Sequence, residues 1–260
     1  MPKLHRLRLL LLLNALVASI LYAGQQHYYS RSWLAPLIVT LYPINGDGLP
    51  ATREYIAGLG PGRFTDIDRW MAREARRYEL PLANPVSTHL GPPVDSLPPP
   101  YDAPASAFAG SISNLVWGLR MRLWAALHTP DTRSNLDRVR IFVVYYSDPQ
   151  AQLPHSLGLQ KGLLGVVHAY ALPSRDRQNN IVIAHELLHT VGASDKYDRH
   201  GTPIYPIGYA EPLRNPLFPQ PHAEIMAGRQ PLSLYESRMP AGLRDEIIGP
   251  LTAREINWLR

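Results

Sequence analysis

The chain of 260 residues contains no cysteine. That absence excludes disulfide staples, cysteine-ligated metal centres and a lipid anchor attached through a thiol. Charge is scarce too: Asp, Glu, Lys and Arg make up 18% of the residues while 45% are hydrophobic. Such a chain is too apolar for disorder and long enough for one substantial core. No internal repeat is visible. The net charge of +5 comes from basic residues spread along the sequence. Spread charge reads as a solvated surface, so no nucleic-acid partner is expected. Proline, with 26 residues, is plentiful and predicts long loops.

The N-terminus has its own pattern. Lys3, Arg6 and Arg8 precede a run from Leu9 to Ala23 that only Asn14 and Ser19 interrupt, and Gln25, Gln26 and His27 restore polarity. This is the plan of a secretory signal peptide or an uncleaved signal anchor over residues 1–25. Bulky Leu21, two residues before Ala23, spoils the small-x-small cleavage pattern and favours an anchor. The basic flank places residues 26–260 outside the cytoplasm, periplasmic or secreted, with the membrane as a partner through the N-terminal segment.

Within 26–260 one domain is expected. Trp33 to Tyr42 reads as a buried strand closed by the turn residues Asn45 to Gly48, and Thr65 to Tyr78 as a helix that Thr65 can cap. Residues 81–104 are proline-rich and read as a long loop or lid. Ser106 to His128 carries a leucine stripe (Leu115, Leu119, Leu123, Leu127) and reads as a helix. Val139 to Tyr146 and Gly162 to Leu172 read as strands, Asn180 to Val191 as a helix with an asparagine cap, and Thr252 to Leu259 as a helix with a Thr252/Glu255 capping box. Strands and helices alternate early, so the fold class is α/β with a mixed sheet.

The chemistry is concentrated in one segment. His185 and His189 stand four residues apart, one turn apart on one helix face, and both can reach a single metal ion. Glu186, beside the first of them, can reach a water on that ion without binding the ion itself. Two imidazoles and an adjacent carboxylate in this H-E-x-x-H spacing point to one catalytic Zn2+ with Glu186 as general base. A third protein donor is needed. Gly192 can take a positive φ and turn the chain back under the helix, which brings Asp195 into reach. Asp198, His200 and Glu211 are rivals, although Pro206 and Pro212 argue against a helix around Glu211. His168 and the lone tyrosines Tyr197, Tyr205 and Tyr209 read as structural.

At these residues, H-E-x-x-H-x-x-G-x-x-D from His185 to Asp195, the chain resembles the metzincin clan of zinc peptidases. The aspartate in place of the usual third histidine is similar to the snapalysins, small secreted bacterial proteases. The resemblance covers 179–226 and implies a metzincin-like mixed sheet with an active-site helix. It also implies a methionine turn beneath the metal, for which Ala223 to Gly228 with Met226 is the match. The strand region Gly162 to Leu172 would be the edge that receives substrate. Some metzincins carry a tyrosine two residues past that methionine; this chain has Gly228. The implied activity is zinc-dependent endopeptidase hydrolysis of peptide or protein substrates. The alternative is a zinc-binding envelope protein without turnover that serves an interaction or assembly role.

Overall fold

The computed structural model describes residues 2–101, 107–129, 138–150, 152–159 and 163–259. The first helix, α1 (Pro2–Ser32), is long and apolar enough to cross a membrane, and its apolar span is not buried against the rest of the molecule. The elements that follow are β1 (Leu37–Asn45), α2 (Pro50–Ala57), α3 (Thr65–Arg77), β2 (Val86–Leu90), α4 (Ala107–His128), β3 (Arg138–Tyr146), β4 (Leu157–Leu159), β5 (Leu164–Tyr170) and α5 (Asp176–Thr190). Four two-residue strands, β6 (Ala223–Glu224), β7 (Gln230–Pro231), β8 (Ser237–Arg238) and β9 (Glu246–Ile247), lead to α6 (Pro250–Glu255).

One five-stranded sheet, in the order β2-β1-β3-β5-β4, organises the molecule. Its pairings are parallel except the last, where β4 runs antiparallel to β5. Both faces are covered, which is why β3 is a continuous apolar run and not an alternating one. Val139, Ile141, Val143 and Tyr145 point to the core shared with α3 and α5, whereas Phe142 and Val144 pack with Trp117, Met121 and Ala125 of α4. The fold class is therefore the mixed α/β one expected from the alternating elements.

Several details depart from the sequence reading. The proline-rich stretch contains β2, which was expected to be loop; Pro85 and Pro92 flank the strand without interrupting it, and an edge position makes no demand for an apolar run. Thr65 is not a cap: its hydroxyl donates to Gly62 O (3.0 Å) and Phe64 holds the cap position. α5 starts at Asp176, and the asparagines that resemble caps are tertiary pins. The Asn179 carboxamide clasps both backbone groups of Tyr170, and Asn180 Nδ2 donates to Arg63 O (2.8 Å). The Thr252/Glu255 capping box does not form, because the Thr252 hydroxyl donates to Glu224 Oε1 (2.7 Å) and Glu255 turns to Lys196. On α4, Leu119, Leu123 and Leu127 face outward, and Trp117, Met121 and Ala125 form the inner side; the Leu115 side chain lies outside the described set.

Candidate metal centre

The helix α5 buries Ile181, Ala184 and Leu188 against the sheet and turns His185 and His189 away from it. Each imidazole is oriented by a backbone carbonyl. His185 Nδ1 lies 2.9 Å from Ile225 O, and His189 Nδ1 lies 2.8 Å from Ala193 O. A carbonyl only accepts, so both Nδ1 atoms carry a proton, and in the neutral rings both Nε2 atoms present lone pairs. Gly192, at φ +108, ends the helix and reverses the chain. Asp195 thereby returns beneath His185 and His189.

Asp195 Oδ1 lies 3.1 Å from His185 Nε2 and 3.1 Å from His189 Nε2, and the two Nε2 atoms are 3.1 Å apart. Three acceptors in mutual contact repel one another unless positive charge lies among them. Their spacing suits donors held at about 2.0–2.1 Å by one ion, the Zn–N and Zn–O range. Among the described residues these three form the group able to hold a metal ion. The proton affinities follow from the attraction among these groups. Burial alone would push His185 down, yet its bond to Asp195 and the nearby Glu186 charge lift it to about 9. Burial favours a neutral Asp195, but the bonds from His185 and His189 outweigh it and hold the carboxyl well below the usual carboxylate range.

Glu186 is buried, and its Oε2 has no hydrogen-bond partner in the protein. Burial raises its pKa, and the neighbouring imidazoles of His185, His189 and His155 act against that rise. It lines a cleft of about 440 Å³ together with His185, Tyr197, His155, His168, Gly228 and Met239. The Tyr197 ring stacks beside His185 with centroids 6.3 Å apart, and burial together with the Asp195 and Glu186 charges raises its phenol well above the ordinary value. His155 was not found in the sequence, since a single histidine without metal spacing carries no signal. His168 meets the Tyr146 hydroxyl at 3.1 Å, and burial pushes it down to about 4.

The segment that meets the His185 imidazole runs through Ala223–Glu224 to Gly228. Ile225 O receives His185, Met226 is fully buried, and Met226 O accepts the Lys196 amide (2.9 Å). The buried Glu224 carboxylate shapes this turn by accepting the Met226 and Ala227 amides. The rival donors stand outside the group. Asp198 Oδ1 accepts the amides of His200 and Thr202 in its own turn, and Arg199 Nε donates to His200 Nε2. The Glu211 backbone is tied to Gln220, and the Tyr205 and Tyr209 rings meet edge to face at 5.3 Å.

One expectation is corrected. The strand over Gly162 to Leu172 is not an edge: β5 (Leu164–Tyr170) pairs on both sides, with β3 and β4. The free edge belongs to β4, which lies directly against α5. A Cβ on Gly158 would stand 2.4 Å from His189 Cβ and 2.6 Å from Glu186 O, so only glycine allows this approach. The basic residues are also less evenly spread than the sequence suggests. Arg69, Arg73, Arg76, Arg177 and Arg244 line a separate cleft of about 460 Å³.

No protein-family model matches the chain, and no curated protein matches its sequence.

Proposed function

We propose that this chain is a zinc-dependent endopeptidase of metzincin type, held at a membrane by α1, with its catalytic domain outside the cytoplasm. The observation that carries the reading is the triangle of His185 Nε2, His189 Nε2 and Asp195 Oδ1 at 3.1 Å, beside the unpartnered carboxylate of Glu186. Two neutral nitrogens and one carboxylate oxygen are a zinc donor set, and three protein ligands leave a position for water and substrate. When bound, the ion supplies Lewis acidity to that water and to the scissile carbonyl.

The protein's own groups supply the rest. Glu186 is the base that takes the proton from the attacking water. It then hands the proton to the departing amine, and its free oxygen faces no competing donor. The Ile225 and Ala193 carbonyls keep both imidazoles in the metal-binding tautomer. The unpaired edge of β4 can add a peptide as a further strand across α5, so main-chain hydrogen bonds would hold the substrate beside Glu186. The lysine and arginine residues before the apolar run of α1 support an extracytoplasmic domain.

The test is metal analysis of the purified full chain together with cleavage profiling on a peptide library. One zinc per chain and cleavage that a chelator abolishes and zinc restores are expected. Zinc without cleavage of any peptide would leave a binding protein in its place, and neither zinc nor cleavage would reject the reading.

A further inference from the structure

We propose that the arginine cleft is an exosite: it takes acidic side chains of the peptide that is cleaved beside Glu186, and so makes acidic-flanked peptides the preferred substrate class. This rests on the reading of the chain as a peptidase.

The cleft has two walls. One is α3, where Arg69, Arg73 and Arg76 follow at spacings of four and three residues and share one helix face. The other is residues 241–244 with Arg177 from the first turn of α5. Arg73 ties the walls together, since its Nη1 donates to Arg244 O (3.3 Å) and its Nη2 to Leu243 O (3.2 Å). Gly242 lies against Arg177, whose Cβ a Cβ at 242 would meet at 3.5 Å. Packing therefore fixes the shape of the cleft.

Positive charge in the cleft exceeds what the protein pairs with it. Among the described residues Asp66 is the one carboxylate that lines it, and Asp66 pairs with Arg69 (3.0 Å). Glu74, buried, pairs with Arg73 (3.0 Å) and with Arg77 outside the cleft (2.8 Å), and Asp245 stands 3.4 Å from Arg244. The guanidiniums of Arg76 and Arg177 have no ion pair or hydrogen bond among the described residues. Guanidiniums gathered in one concavity repel each other, and an anion relieves that repulsion. Each also offers the fork of donors that suits a carboxylate.

The spacing selects the kind of anion. From Arg69 to Arg76 the helix rises about 10 Å, so the charges form a row and do not converge on one point as a single phosphate would require. Neighbours in that row stand about 5–6 Å apart at their Cβ atoms. Side chains on one side of an extended peptide recur about every 7 Å, well within the reach of arginine stems.

The position points to the substrate. Met239 lines the cleft of Glu186 together with Val182 and His185. Directly after the buried Pro240, Ala241 and Gly242 line the arginine cleft together with Arg177. The two clefts are thus neighbours along both the 239–242 segment and α5. Arg177 precedes His185 on that helix by a rise of about 12 Å, which an extended peptide crosses in about four residues. Acidic residues starting about four positions from the scissile bond would reach the row.

The test uses the full chain and two fluorescent peptide libraries that share a randomised core and carry either three Glu or three Gln as the flank, on each side in turn. Binding is read by anisotropy and cleavage on the same libraries, at about 20 mM and about 500 mM salt. The parent should bind and cleave the Glu-flanked library about tenfold better at low salt, the combined effect of two or three exposed ion pairs, with the gain in KM and lost at high salt. Arg76→Gln/Arg177→Gln should abolish that advantage while cleaving the Gln-flanked library like the parent, and Arg76→Lys/Arg177→Lys should keep part of it. Equal cleavage of both libraries by the parent, or a Glu preference that survives Arg76→Gln/Arg177→Gln, would overturn the exosite and leave the peptidase standing. Arginine-dependent binding of the Glu-flanked library without cleavage of either library would overturn the peptidase reading and the exosite with it. Neither binding nor cleavage would overturn both. Release of the Glu-flanked library by an equal concentration of inorganic phosphate would assign the cleft to a small free anion and overturn the peptide assignment.

Discussion

The Lys196 ammonium, fully buried, lies 2.7 Å from Glu255 Oε2, so one ion pair fastens the segment carrying Asp195 to the C-terminal helix α6. Lys196 Nζ also donates to Ser194 O (2.6 Å) and Ser194 Oγ (2.9 Å). Lys196→Met leaves Glu255 without its partner. The expected loss is about 2–4 kcal/mol, somewhat below the roughly 3–5 kcal/mol of fully buried pairs, because the Glu255 side chain keeps 23% exposure. Zinc affinity should fall about 10–100-fold, as for other groups that support a ligand. Denaturant titration and competition with a chelator measure the two effects; an unchanged variant in both would deny the pair its role.

The same pair sets a pH dependence. Burial alone would raise the Glu255 pKa, but the Lys196 and Ser194 contacts outweigh it and hold it below its ordinary value. A carboxyl lowered in the folded state contributes stability above its unfolded pKa of about 4.3, and that contribution is lost as pH falls through the folded value. The melting-temperature gap between the parent and Glu255→Gln should be full near about pH 6 and close as pH drops below about 4. A gap that stays constant over that window would contradict the assignment.

Gly158→Ala tests the packing of β4 on α5. The added methyl group would sit 2.4 Å from His189 Cβ and 2.6 Å from Glu186 O, and neither the helix backbone nor a Cβ fixed to it can yield cheaply. Loss of about 1–3 kcal/mol is expected, the usual cost of overpacking, together with reduced hydrolysis as the edge strand is displaced. Thermal unfolding and a peptide assay read the outcome; a variant equal to the parent in both would mean that β4 does not lie this close.

The site was legible in the sequence because its geometry is local. His185, Glu186 and His189 share one helix face, and Gly192 supplies the reversal that brings Asp195 back, all within eleven consecutive positions. The central strand β3 was equally plain, since burial on both faces makes it apolar throughout. What depends on distant partners was not legible. Asn179 and Asn180 look like helix caps until Tyr170 and Arg63 are seen to occupy them. Thr252 and Glu255 look like a capping box until Glu224 and Lys196 claim them. The leucines of α4 look like a core stripe, yet the aromatic and methionine side chains of the opposite face fill the core. β4, three residues long, has too little pattern to announce that it, and not β5, is the edge.

The proposed ligand set predicts a specific ranking. Asp195→Ala removes one of three converging acceptors and should lose zinc to a mild chelator and lose hydrolysis. Asp198→Ala and Glu211→Ala, whose carboxylates stand outside the group, should keep both. Asp195→His should recover part of the affinity, because imidazole suits the same ion. Equilibrium dialysis with metal analysis gives the ranking, and zinc retained by Asp195→Ala but lost by Asp198→Ala or Glu211→Ala would reverse it.

The most direct measurement compares Glu186→Gln with the parent chain, reading zinc content and peptide hydrolysis in the same preparations. Glu186 stands beside the three acceptors and is not one of them, so the variant should hold about one zinc per chain like the parent. Its hydrolysis should fall by about 10²–10⁴-fold, the contribution of a positioned general base. Undiminished hydrolysis in the variant, or a parent chain that binds no zinc, would contradict the account.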